Sequence, residues 1–297
     1  MDQLTAMKVF VTVVDEASFS AAAEKLNLSR TKVSKQVMDL ESHLNARLLN
    51  RTTRRQSLTG SGRAYYERAK RILNEIEEAD AEATNQSLTP RGSLRINAPT
   101  SFGISHVAPN LKGYMDRYPD VEIDLTLNDR FVDLVDEGYD MAIRIGELSD
   151  SSLIARRIAS ARAVACAAPA YLDQHGEPDH PTELESHDCL SYTLISAPNR
   201  WSFTRNGETV TANVAPRVVS NSGDAVAAAA IAGLGIIVQP SFIVGPALED
   251  GRLREILPGY DAGLFGIYAV YPSGRLVSAR VRTFIDFLIS CAGGDKA

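Results

Sequence analysis

Leu4, Met7, Val11 and Val14 recur at spacings of three and four, which predicts an amphipathic first helix ending near Glu16-Ala17. Ser18 is placed to cap a second, short helix in which Phe19, Ala22, Ala23 and Leu26 fall at i, i+3, i+4 and i+7. Asn27 tolerates a left-handed turn, Leu28 can bury, and Ser29 caps a third helix whose inward face is Val33, Val37, Leu40 and Leu44. Two short helices joined by a tight turn, here over residues 18–37, are the helix-turn-helix layout. The segment from Leu48 to Gly60 then reads as two short strands around a basic turn. Beyond it, positions 65, 69, 72, 76, 79 and 83 alternate spacings of four and three, a heptad seam with charged flanks that predicts a long pairing helix.

After the breaker-rich stretch Leu88-Thr89-Pro90-Arg91-Gly92 the texture changes. Strand-like runs occupy 94–98, 121–127, 141–145, 164–168, 234–238 and 266–271, and helical patterns fall at about 104–118, 131–138, 223–232 and 276–290. That alternation predicts α/β architecture with a mainly parallel sheet, in which ligands sit at the carboxyl ends of strands.

Charge sharpens the first part of this picture. The whole chain of 297 residues carries −6, yet between Ser29 and Arg71 eleven Lys or Arg stand against three acids. A local +8 inside an acidic protein suits phosphate neutralisation, although a solvated basic face would look the same by composition. On the third helix Thr31 and Lys35 lie opposite the apolar stripe, Lys32 and Ser34 lie beside them, and Arg30 is in the first turn after Ser29. Such side chains suit a DNA groove, where Lys or Arg donate to guanine and hydroxyls adapt to several bases. The basic hairpin with Arg51, Arg54 and Arg55 would be a wing reaching phosphates or the minor groove.

The ordered set Ser18-Phe19-Ser20-Ala21-Ala22-Ala23-Glu24-Lys25-Leu26, Leu28-Ser29, Val33-Ser34-Lys35-Gln36-Val37, Leu40-Glu41, Leu44, Leu48-Leu49, Arg51 and Leu58-Thr59 resembles the DNA-binding domain of LysR-type transcriptional regulators. The resemblance implies base and backbone contacts at Arg30, Thr31, Ser34, Lys35, Arg51 and Arg54. Two positions depart from the family pattern. Asn45 stands where glycine is frequent, and Arg30 replaces a frequent glutamine, which favours a guanine or phosphate contact over adenine.

In the second part, the turn Ala98-Pro99-Thr100-Ser101-Phe102-Gly103 leaves a strand and opens a helix, gathering backbone N–H groups and two hydroxyls that suit an anion. Asn128 ends the second strand of this part, and Arg144 on the third offers a fork for a carboxylate. The runs 140–146, 166–172 and 232–236 resemble the LysR effector domain, whose fold is that of periplasmic binding proteins of type II. The resemblance implies two α/β subdomains around an effector cleft, with contacts at Thr100, Ser101, Asn128, Arg144, Phe203 and Asn221.

The expected organisation is a winged helix-turn-helix at 1–59, a linker and dimerisation helix at 60–88, and an effector domain at 91–297. Subdomain I would comprise about 91–162 and 267–297, and subdomain II about 163–266. The expected function is ligand-modulated, sequence-specific transcription regulation, with an organic or aromatic acid as effector and no cofactor. Expected partners are double-stranded DNA at an inverted repeat, a second copy of the chain in a homodimer or homotetramer, and RNA polymerase as a further candidate.

Other chemistries find less support. The longest nearly unbroken apolar stretch, Ala225 to Val238, is 14 residues, too short to cross a bilayer, and the start lacks a basic leader, so a cytoplasmic location is expected. This weighs against an exported solute-binding protein, and no Ser-His-Asp or Cys-His arrangement supports an α/β enzyme. Gly60-Ser61-Gly62 and Gly233-Leu234-Gly235 lack the remaining residues of phosphate or dinucleotide loops. His175, His180, His187 and Cys189 match no zinc spacing, and Cys166 reads as a small buried hydrophobe, not a redox thiol.

Overall fold

The computed structural model describes residues 2–52, 55–83, 89–146, 148, 153–194, 197–273 and 277–292. The chain divides into two compact units, Met1–Leu88 and Thr89–Ala297.

The first unit runs α1 (Gln3–Asp15), α2 (Phe19–Lys25), α3 (Arg30–His43), β1 (Leu49–Thr52), β2 (Arg55–Leu58) and α4 (Gly60–Ala83). The caps form as the sequence indicates. Ser18 Oγ accepts the Ala21 N–H at 3.3 Å, and Ser29 Oγ accepts the Lys32 N–H at 3.2 Å, each worth about 1 kcal/mol of helix stability. Asn27 and Asn45 both take left-handed φ, 52° and 47°, and turn the chain after α2 and α3. The apolar stripes meet in one core of Met7, Phe10, Val13, Ala22, Val33, Val37, Leu40 and Leu48. β1 and β2 pair antiparallel from Leu49–Leu58 to Thr52–Arg55. Gly62 is required at the start of α4, because a Cβ there would lie 1.9 Å from the Leu48 carbonyl oxygen.

The expected seam on α4 divides. Ala69 is fully buried in the first unit's own core, where Tyr65 and Leu73 also pack, whereas Ile72 stays 38% exposed. The first turns of the helix are therefore spent on their own domain; the side chains at 79 and 83 lie outside the described residues.

The second unit begins with β3 (Gly92–Ala98), α5 (Thr100–Phe102) and α6 (Leu111–Arg117). A π-helical turn (Gly103–Val107) and a 3-10 turn (Ala108–Asn110) join the two helices. β4 (Val121–Leu127), β5 (Met141–Ile145), the long β6 (Leu153–Ala167) and α7 (Pro169–His175) follow. The central portion holds β7 (Cys189–Tyr192), β8 (Arg200–Arg205), β9 (Glu208–Asn213), β10 (Pro216–Ser220) and α8 (Gly223–Ile231). β11 (Ile237–Pro240), α9 (Ser241–Glu249), β12 (Arg254–Glu255), β13 (Leu264–Pro272) and α10 (Ala279–Ala292) complete it.

The main sheet has the order β11-β6-β13-β5-β3-β4, with β12 also on β6. It is mixed, which corrects the expectation of a mainly parallel sheet. β3 pairs parallel with β4 and β5, but β13 runs antiparallel to both β5 and β6, and β11 runs antiparallel to β6. The cause is the length of β6. Up to Arg162 it pairs with β13, and from Ala163 it pairs with β11, so one strand serves two halves of the domain. One core lies around Leu94, Ile96, Tyr114, Met141 and Phe284. The other half has apolar clusters around Leu184, Trp201 and Ile236, and around Val164, Val226 and Val244.

The expected helix at 131–138 is instead a single turn. Asp133 Oδ1 accepts the N–H groups of Val135 and Asp136 at 2.9 and 3.0 Å, and Gly138 with φ 72° ends it. The hairpin β8–β9 turns at Asn206-Gly207, with φ of 52° and 84°. Both residues thus adopt the positive φ of a two-residue hairpin turn, a signal that Asn-Gly carries in the sequence itself.

Candidate functional site

Two surfaces collect the residues singled out by the sequence. On the first unit, Val33, Val37 and Leu40 are fully buried, and this fixes which face of α3 points out. Arg30, Thr31, Lys32 and Lys35 are exposed and Ser34 is half-buried. Ser29 is engaged as the N-cap. Among the described residues no hydrogen bond or ion pair engages the side chains of Arg30, Lys32 or Lys35, so three cations stand available on one helix. The Glu41 carboxylate accepts the Leu48 and Leu49 N–H groups at 2.9 and 3.1 Å and ties the end of α3 to the start of the hairpin. Thr59 Oγ1 donates to the Arg47 carbonyl at 2.6 Å and accepts the Gly62 N–H at 2.8 Å, tying the other end to α4. Hairpin and helix are thus fixed to each other. Arg54 lies outside the described residues, and only the backbone of Arg51 and Arg55 is described.

In the second unit a cleft of about 110 Å³ opens beside β3, β5 and β11. That is less than the roughly 150 Å³ of a cavity that takes benzene, so the cleft encloses only a small molecule or part of one. Its walls include Phe102, Phe131, Tyr192, Val238, Phe242 and Phe265. Arg144 is the cation of the site. Its Nη1 donates to Asn97 Oδ1 at 2.8 Å and to the Ile143 carbonyl at 3.2 Å, and its guanidinium lies 5.6 Å from the centre of the Phe131 ring. Asn97 is fully buried and donates its own Nδ2 to the Thr126 carbonyl at 3.4 Å. Burial, and then the charge of Arg130, lowers the Arg144 pKa from its usual value. A guanidinium nevertheless stays charged, so an anion bound there gains a desolvated, pre-aimed donor. Among the described residues no carboxylate lies within ion-pair distance of Arg144.

The helix start after β3 is arranged differently from the sequence expectation. Asp129 Oδ1 accepts the Thr100 N–H at 3.2 Å, and Ser101 Oγ donates to Asp224 Oδ2 at 2.9 Å. The chain's own carboxylates therefore occupy groups that looked free for an anion. Ser101 and Arg144 line the cleft together, whereas Thr100 and Asn128 stand beside it. Asn128 donates its N–H to the Ala98 carbonyl at 3.0 Å, and its Oδ1 is buried without a partner among the described residues. Phe203 is 1% exposed and packs with Trp201 and Ala212, so it serves a core and no cleft wall. Asn221 is exposed ahead of α8 and does not line the cavity.

Among the polar cleft or supporting residues, Asn97, Asp129, Tyr192 and Gln239 were not singled out from the sequence. Asp129 adjoins Asn128 and was within reach of the same strand-end argument. Burial, with the nearby Asp129 charge, raises the Tyr192 hydroxyl pKa to about 12, so it stays a neutral donor. Gln239 ends a run of apolar residues, where only the fold reveals that the residue lines a cavity.

The remaining candidates are structural. Burial raises the Cys166 and Cys189 thiols to about 12, which keeps them protonated and unreactive. Tyr171 stacks on His175 at 4.5 Å and its hydroxyl lies 3.2 Å from His187 Nδ1. The described residues contain no cluster of metal-ligating side chains. No helix among them is long and apolar enough to cross a membrane.

Residues 4–63 match the family described as bacterial regulatory helix-turn-helix protein, lysR family, and residues 88–291 match the LysR substrate binding domain. The chain belongs to the LysR family of transcription regulators. This LysR-family chain is 41% identical over 281 residues to an HTH-type transcriptional regulator of Haemophilus influenzae, covering 95% of this chain and 98% of that one. Among solved structures, CrgA of Neisseria meningitidis superposes with a TM-score of 0.62 at 34% identity, over 97% of this chain and 98% of the other. The full-length Vibrio cholerae virulence activator AphB gives 0.59 at 31% identity, over 97% and 98%. The regulator is thus a DNA-binding protein with an effector domain, and its relatives are regulators, not enzymes.

Proposed function

We propose that this regulator reads an inverted-repeat operator through α3 and the β1–β2 hairpin, and that a small organic or aromatic acid in the Arg144 cleft modulates it. The observation that carries the effector reading is Arg144 itself: half-buried, aimed by Asn97, walled by aromatic rings and without a carboxylate partner among the described residues. On the DNA side, Arg30, Thr31, Ser34 and Lys35 would meet base edges and nearby phosphates, with Ser29 and Lys32 at the rim. Arg51, Arg54 and Arg55 would hold the backbone. The working unit is a homodimer or homotetramer paired through the linker helix, acting in the cytoplasm, with RNA polymerase as a further partner. Binding of the acid shifts the population of cleft geometries, and the linker carries that shift to the spacing of the two recognition helices.

Two measurements test this reading. A gel shift on fragments upstream of the gene should show binding tighter than to random DNA at moderate salt; equal affinity for both overturns it. Thermal shift against an organic-acid panel should show stabilisation by acids. Stabilisation only by cations or sugars would contradict the effector class.

A further inference from the structure

Met38 is an apolar side chain in the middle of a polar face. It is the ninth residue of α3 and 51% exposed, whereas Val33, Val37 and Leu40 on the opposite side of the helix are fully buried. Seven residues carry it to about 20° short of two full turns from Thr31, so Thr31, Ser34, Lys35 and Met38 stand at i, i+3, i+4 and i+7 along one stripe. The helix rises about 10 Å over that stretch, the height of roughly three base pairs. Recognition helices read base edges with side chains at this same spacing. The neighbours of Met38 narrow what it can meet. Of the two acids on α3, Glu41 is tied to the hairpin through the Leu48 and Leu49 N–H groups, and Asp39 is exposed on the flank that also carries Lys32. An acid and a thioether side by side offer nothing to a phosphate, so this turn suits the floor of a groove better than its rim.

In water an exposed methionine gives a helix nothing that glutamine, of similar length and helix propensity, would not give. In a major groove it does. Thymine alone among the four bases carries a methyl group on that edge, and an apolar contact with it distinguishes a T·A pair from the others. The unbranched, polarizable thioether of methionine adapts to the position of such a methyl. We infer that Met38 is a specificity-determining residue of the operator contact: its side chain packs on the C5-methyl of one thymine in each half-site, about three base pairs from the step that Thr31 meets. Thr31, Ser34 and Lys35 supply hydrogen bonds along the stripe, and Met38 adds a preference for thymine by removing a methyl group from water. This inference rests on the reading that α3 lies in the major groove of the operator.

Replacing thymine by uracil tests it, since uracil pairs identically and lacks only the methyl. With the operator located by footprinting, each thymine of the half-sites is exchanged in turn for deoxyuridine, and the affinity of the full-length protein is measured by gel shift. For the wild type one position in each half-site should lose about fourfold, the effect of one buried methyl, and exchange in both half-sites together should lose about fifteenfold. Met38→Gln should bind the thymine and uracil operators equally at that position and melt at the wild-type temperature. Met38→Leu, which stays apolar, should keep the loss, and the affinity for random DNA should be unchanged in both variants. A uracil loss that persists in Met38→Gln assigns the methyl to another side chain, such as Thr31, and overturns the role of Met38. A wild type indifferent to uracil at every position, with specific binding intact, overturns it too. So does a changed oligomeric state of Met38→Gln in light scattering, which would place Met38 in a contact between proteins. Absence of specific binding by the wild type overturns the operator reading and this inference together.

Discussion

On α3 the cations Arg30, Lys32 and Lys35 project from a helix and are engaged by nothing among the described residues, whereas in the cleft most polar groups are already held by another. Asn97 holds Arg144, Asp129 holds the Thr100 N–H, and Asp224 holds Ser101. The first arrangement suits a long polyanion met by diffusion, for which exposed charge raises encounter and non-specific affinity. The second suits discrimination between small molecules, where a few groups fixed in place decide what fits. The groups left unpaired in the cleft, the Arg144 charge and the Tyr192 hydroxyl among them, are therefore more informative than the groups already paired.

The comparison can be broken at several points. The largest effect is expected from Leu40→Ala, which empties a fully buried site in the first unit's core and should cost about 2–5 kcal/mol. Calorimetry should show the loss in one transition only, with acid binding by the second unit intact; a shared shift would mean that the two units unfold together. Arg144→Ala follows, expected to weaken acid binding by about 2–4 kcal/mol while DNA affinity without effector stays unchanged. Titration calorimetry and gel shift on the same preparation check both halves.

Lys35→Ala should cost about 1–3 kcal/mol on specific DNA and relax the preference at one base pair, whereas Arg51→Ala should weaken all sequences alike. Equal losses on specific and random DNA for both variants would erase that division of labour. The smallest effect is expected at Ser101→Ala. It removes the hydroxyl that meets Asp224 in a largely exposed setting, so domain stability should fall by no more than about 1 kcal/mol. A larger fall in the denaturation midpoint would mean that this contact holds the two sides of the cleft together.

The two regions also differ in how far the sequence reveals them. The recognition face could be read because it is local: Val33, Val37 and Leu40 define the buried stripe, and the exposed residues follow from the helical repeat. The hairpin and the caps at Ser18 and Ser29 could be read for the same reason. The cleft is non-local. Asn97, Asp129, Arg144, Tyr192 and Gln239 come from different strands and loops, and only the mixed sheet brings them together. Arg144 was legible as a charge on an apolar strand, but nothing in periodicity links Asn97 to it or places Gln239 in the wall. Phe203 shows the converse: its strand alternation marks it as inward-facing, yet inward there means a core beside Trp201. The mixed sheet was missed because β6 reads as a short apolar run at 164–168, while its first half from Leu153 is punctuated by arginines. Likewise Tyr65 and Ala69 carry a heptad spacing that serves their own domain.

The most direct test of the account is a footprint on an upstream fragment, made with and without an organic acid that stabilises the protein in the thermal-shift panel, for the wild type and for Arg144→Ala. The expected result is an operator with two symmetric half-sites protected in both proteins, and an acid-dependent change in protection or affinity in the wild type alone. Protection without sequence preference, or an acid response of equal size in Arg144→Ala, would contradict it.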